Sequence, residues 1–216
     1  MTTNTMVALK TYTFPSAASS YTFTSVPQGY TDLVIVVGGS INANDLPAIQ
    51  IGNGTVATSG YSQTIIRGNG SAAGSYRFTG YSTLWGGDVA NSANSQIVWK
   101  VNLQSYSNTN TYKTLLSRYD NSTGDTGATV HLWQSTSAID TIKIGTLGGN
   151  SWNTGTTITI YGIANADVGA YATGGVITQD ANYYYHAFGN SSYFTPTRNL
   201  TADILVVAGG GGGGDV

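Results

Sequence analysis

His131 and His186 are the side chains of this sequence whose ordinary proton affinity suits acid–base work near neutral pH. His131 lies in the strand-like run Val130-His131-Leu132-Trp133, and His186 follows Tyr183-Tyr184-Tyr185 in a different part of the chain. Neither stands in an HExxH-type or C2H2-type spacing, and a chain without Cys or Glu has few zinc ligands to offer. A structural or surface role is expected for each. The run Asp120-Asn121-Ser122-Thr123-Gly124-Asp125 has the carboxylates and glycine of a calcium loop but lacks the late bidentate carboxylate, so a turn is expected there. No pair of acids can be argued for glycoside hydrolysis. No catalytic, cofactor-binding or metal-ligating residue is assigned, and no enzymatic activity is expected.

Three aromatic residues remain as candidate ligand or interface contacts. Trp85 precedes Gly86-Gly87, Tyr106 lies in Ser105-Tyr106-Ser107-Asn108, and Trp152 lies in Asn150-Ser151-Trp152-Asn153. Rings in loops flanked by Asn and Ser stack on sugars at little entropic cost. The alternative for each is a lid on the core or a contact with a neighbouring subunit. Trp99 and Trp133 sit in alternating strands and read as core.

The elements that must hold these residues are strands. Residues 96–103 alternate cleanly, with Ile97, Trp99, Val101 and Leu103 on one face and Gln96, Lys100 and Asn102 on the other. Leu33–Val37 is apolar throughout and reads as a central strand buried on both sides. Further strands are expected around 7–14, 20–25, 47–51, 61–67, 75–79, 112–117, 127–134, 139–145 and 157–160. Asn53-Gly54, Asn69-Gly70, Gly86-Gly87-Asp88 and Gly148-Gly149-Asn150 supply the turns. No segment sustains a helical period. The fold class is therefore all-β, a two-sheet antiparallel sandwich of jelly-roll type over residues 1–164.

Composition agrees. Charged residues are 8% of the chain, against about 25% in an average soluble protein, and the formal charge is −2. Four Lys and four Arg are too sparse to grip a phosphate backbone, so nucleic acid is excluded as a partner. No apolar stretch has the length of a membrane span or the form of a signal peptide.

The sequence also repeats itself. Tyr12 aligns with Tyr183, Phe23 with Phe194 and Asp32 with Asp203, at a constant offset of 171 residues, and Asp32-Leu33-Val34-Ile35-Val36-Val37 returns as Asp203-Ile204-Leu205-Val206-Val207-Ala208. The recurring Asp32 and Asp203 read as turn caps at strand starts. The expectation is one complete domain, a linker at 165–175, and an incomplete second β unit at 176–216 that runs into Gly209–Gly214. Strands within 176–208 have no evident complement in the chain, so pairing between subunits is expected.

With Asn102–Arg118, His131–Ile139 and Gly155–Ile163 on the page, residues 6–164 resemble a jelly-roll domain found in structural proteins of tailed bacteriophages. Phe194-Thr195 and Asp203–Gly214 are similar to the start of glycine-rich segments in phage fibres and adhesins. The resemblance implies a non-enzymatic virion component on the particle surface, a tail fibre or other appendage with an anchoring or host-attachment role. It implies a homotrimer whose partners are itself and other virion structural proteins, with no cofactor and no membrane insertion. The alternatives are a capsid decoration protein or head fibre, and a carbohydrate-binding module that takes a host cell-surface glycan on its loop aromatics.

Overall fold

The computed structural model describes residues 6–87, 89–120, 125–163, 172–179, 183–196 and 200–207. Residues 121–124 of the calcium-like run, residues 164–171, which include most of the expected linker at 165–175, Asp88 and the glycine run lie outside the described residues. The chain divides into two units at Asn165/Ala166.

Among the described residues the first unit contains thirteen strands: β1 (Met6–Thr13), β2 (Ser20–Phe23), β3 (Asp32–Ser40), β4 (Pro47–Asn53), β5 (Thr55–Val56), β6 (Tyr61–Gly68), β7 (Ala73–Tyr81), β8 (Leu84–Trp85), β9 (Gln96–Leu103), β10 (Lys113–Asp120), β11 (Thr126–Trp133), β12 (Thr141–Thr146) and β13 (Thr157–Ile163). They pair entirely antiparallel. An eight-stranded sheet runs β1-β13-β3-β9-β10-β11-β6-β7, and a five-stranded sheet runs β2-β12-β4, with β5 and β8 both paired to the far side of β4. The protein is thus an all-β antiparallel sandwich, as its alternating sequence requires.

Its strand order carries more detail. Setting aside β5–β7 and β10–β11 leaves β1-β13-β3-β9 facing β2-β12-β4-β8, with successive strands crossing between sheets in the order of a jelly roll. The two excursions, one between β4 and β8 and one between β9 and β12, meet as β11 against β6. Together they widen the larger sheet by four strands.

The core follows from the period of two. Leu33, Ile35 and Val37 of β3, with Ile97, Trp99, Val101 and Leu103 of β9, bury their side chains together with Ile49 and Ile51 of β4 and Ile142 and Ile144 of β12. Removing each such side chain from water contributes about 1.5–3 kcal/mol. Packing at Trp99 is close enough to dictate its neighbour, because a Cβ on Gly86 would lie 2.3 Å from the Trp99 Nε1.

The second unit is built from short ladders. Strand β14 (Ala172–Thr173) pairs with β17 (Thr195–Pro196), and β15 (Val176–Gln179) pairs with β16 (Tyr184–Ala187). Gly174 and Gly175, at φ 107° and 67°, turn the chain between β14 and β15 in a conformation that side chains resist. The described strands within 176–208, β15, β16 and β17, therefore all find complements within the chain, which corrects the expectation that they have none. The run Asp203–Val207 forms no strand.

Gly86→Ala is expected to cost about 1–3 kcal/mol by overpacking. In a Trp99→Phe background the same change should cost clearly less, since the indole nitrogen it strikes is gone. Urea denaturation of the four proteins checks this, and equal costs in both backgrounds would refute the contact.

Candidate functional site

Strand register assembles a constellation that resembles a nucleophile and its base. Ser117 of β10 lies opposite Thr129 of β11, and His131 of β11 lies opposite Gln63 of β6, all on the inward face of the larger sheet. The Ser117 hydroxyl stands 2.9 Å from the His131 Nε2, and the His131 Nδ1 stands 3.0 Å from the Gln63 Oε1. The amide oxygen must accept there, so Nδ1 carries the proton and Nε2 accepts from Ser117. Gln63 Oε1 also accepts the Trp85 backbone N–H at 3.1 Å.

This geometry mimics a catalytic triad, but its electrostatics oppose the chemistry. Full burial pulls the His131 imidazole down to a pKa of about 3. Such a weak base does not take a serine proton at neutral pH, and the neutral Gln63 offers no charge to stabilise an imidazolium. Ser117 is itself buried, out of reach of any substrate. The network positions strands. It leaves Gln63 Nε2 and Thr129 Oγ1 buried without a hydrogen-bond partner, at about 1–3 kcal/mol each.

Two other ionisable groups are likewise structural. Lys113 is buried, and its ammonium donates to the carbonyls of Asn108, Thr111 (3.0 Å) and Thr136 (3.2 Å) while burial pulls its pKa down. Burial pushes the Asp45 carboxyl up, but donors from Leu46 (2.7 Å), Gly148 (2.8 Å) and Asn150 (2.9 Å) outweigh it and hold the pKa below the usual carboxylate value. Asp45 thereby ties the loop before β4 to the turn after β12. Asp125, at the end of the calcium-like run, pairs with Arg67 at 2.9 Å. Asp32 accepts the Ser105 N–H at 2.7 Å, a turn cap as its position suggested. His186 of the second unit donates from Nδ1 to the Gly174 carbonyl at 2.8 Å.

All three candidate aromatics are buried, so none offers a ring face to a sugar. Tyr106 and Trp152 are 0% exposed and Trp85 is 4% exposed. Trp85 is not in a loop. It forms β8 against Ala48 of β4, and Phe78 and Tyr81 cover its ring at centroid distances of 5.1 and 4.9 Å. Tyr106 is turned inward after Ser105, whose φ is 46°, and its hydroxyl donates to the Pro27 carbonyl. Trp152 bridges Ala18 and Ile41, its backbone N–H donating to the Ala18 carbonyl at 2.9 Å. Tyr106 and Trp152 thus close the sandwich at opposite ends of β3. Trp99 and Trp133 are core residues, as expected.

What remains accessible is surface. Open depressions of about 220 Å³ beside Gln50, Ser82 and Lys143, and about 240 Å³ beside Lys10, Thr11 and Tyr21, are polar and smaller than the roughly 300–1,000 Å³ of small-molecule sites. Among the described residues no group of three or more His, Cys, Asp or Glu could hold a metal ion. The outer face of the larger sheet is different, because β9, β10, β11 and β6 turn Val98, Leu116, Val130 and Ile66 outward, each 42–64% exposed. In the second unit Ile204, Leu205, Val206 and Val207 are 82–89% exposed.

No family model matches this chain, and no curated protein matches it in sequence. The architecture is what defines its class: an antiparallel β-sandwich whose polar and aromatic residues of chemical interest are built into the core.

Trp152→Ala is expected to cost about 3–5 kcal/mol in stability, read by urea denaturation. His131 gives a pH signature. The unfolded chain takes up its imidazole proton near pH 6.5 and the folded chain only near about 3. Its contribution is complete above 6.5 and falls by up to about 1.4 kcal/mol per pH unit below that. Between about pH 6.5 and 4.5 the wild type should lose stability faster than His131→Asn, and parallel profiles would refute the assignment.

Proposed function

We propose that this chain acts by assembly, as a structural component of a bacteriophage virion fibre or appendage that joins other copies of itself. The observation that carries the reading is the contrast between the two copies of the repeat. Leu33, Ile35 and Val37 are buried in β3, between β13 and β9. Ile204 and Val206, the counterparts of Leu33 and Ile35, and Leu205 and Val207, the counterparts of Val34 and Val36, stand 82–89% exposed. Four consecutive branched apolar side chains in water are costly, and such a segment is stabilised when strands of another copy cover it. The resemblance of residues 6–164 and 194–214 to phage structural and fibre proteins supplies the setting, on the virion surface, and the number three for the copies. Burial of Trp85, Tyr106 and Trp152 weighs against a sugar-binding module that uses those rings.

Light scattering on the full chain should give a mass that is a multiple of 22.5 kDa. Leu205→Asp with Val207→Asp should lower that multiple while leaving the circular dichroism of the sandwich unchanged. A monomer whose amides at 203–207 resist hydrogen exchange would overturn the assembly reading. Antibodies against the chain should label intact phage particles, and their failure to do so would overturn the virion setting alone.

A further inference from the structure

We infer that the outer face of the larger sheet is a second contact surface, one that packs against the same face of another copy of this chain. The inference rests on the assembly reading and adds to it a surface in the first unit, separate from residues 203–207.

The patch is contiguous by register. Leu116 lies directly opposite Val130, and Ala128, the next outward position on β11, lies opposite Ile66. Val98 is a further exposed apolar residue on the same face of β9, beyond the Lys100–Arg118 pair from Leu116. An antiparallel sheet with one face on the core ordinarily turns polar side chains to water on the other. This chain places exposed branched residues on four successive strands at the middle of its wider sheet.

Charge selects the occupant. Lys100 lies directly opposite Arg118 across β9 and β10, and like charges so placed repel. Neither cation has a carboxylate or hydrogen-bond partner among the described residues. Asp120 is exposed two residues beyond Arg118 on the same strand and the same face. A two-fold contact presents each copy's Asp120 to the other's cations and each apolar patch to its twin, which is the self-complementarity such interfaces need.

The area is sufficient. Eight strands about 4.8 Å apart, over about 20 Å of strand, give roughly 700 Å² per copy for the whole face, of which the four strands that carry the apolar residues supply about half. Stable interfaces bury about 800 Å² per partner. A polyanion is a poorer fit to two cations set among apolar residues, and it is made an outcome of the test.

The experiment uses the full chain carrying Leu205→Asp and Val207→Asp, followed by sedimentation velocity up to about 100 µM. Dimers are expected to persist. Adding Val130→Lys should weaken them at least tenfold with an unchanged thermal melt. Arg118→Asp should weaken them as well, and mixing the Arg118→Asp chain with an Asp120→Lys chain should restore a mixed dimer. If the background is monomeric, or if Val130→Lys dimerises as its parent does, the surface assignment fails. The assembly reading then stands provided the unsubstituted chain still associates. Retention of a monomeric background on immobilised heparin, abolished by Arg118→Asp, would also overturn the inference, by assigning the face to an anionic polymer.

Discussion

The fold depends on the clamping of β3. This strand pairs with β13 over Asp32–Gly38 and with β9 over Leu33–Ser40, so its backbone groups are satisfied on both edges while Leu33, Ile35 and Val37 fill the space between the sheets. Everything else is arranged around that strip. Tyr106 and Trp152 close its two ends, Asp32 fixes the turn that carries Tyr106, and β4 and β12 lay their isoleucines across it. Weakening the clamp on either edge would expose both a row of backbone donors and the most apolar segment of the unit.

A chain with so few charges must spend its polar and aromatic side chains on internal order. His131, Ser117 and Gln63 tie three strands of the widened sheet, Lys113 gathers three loop carbonyls, and Asp45 joins two loops. Each is a group of the kind that touches substrate in enzymes. Here desolvation sets their character, pulling His131 and Lys113 toward the neutral form. The same logic consumes the tryptophans. The surface is left to Ser, Thr, Asn and Gly, interrupted by apolar residues at Val98, Leu116, Val130 and Ile66.

Much of the sandwich could be read in advance from residues whose partners lie one strand-period away. Gln96–Leu103 alternates so regularly that its limits and its buried face were both evident. What stayed hidden depends on distant pairing. Strand β8 has two residues, too few to alternate, and Gly86-Gly87 disguised it as a turn. Trp152 looked like a loop residue because its bridges to Ala18 and Ile41 leave no local trace. Lys113 sits at an inward position of β10, and the three carbonyls that enclose its ammonium come from two loops, one of them more than twenty residues away. Nor could local sequence show that two insertions would meet as neighbours in one sheet.

The wide separation of β3 from β13 has a consequence for biosynthesis. A ribosome adding about 5–20 residues per second needs roughly 6–25 seconds to travel from Leu33 to Ile163. Throughout that interval the nascent polypeptide carries a sticky ribbon whose second neighbour does not yet exist. With scarcely any acidic or basic gatekeepers nearby, the newborn chain is a natural client for a holdase chaperone.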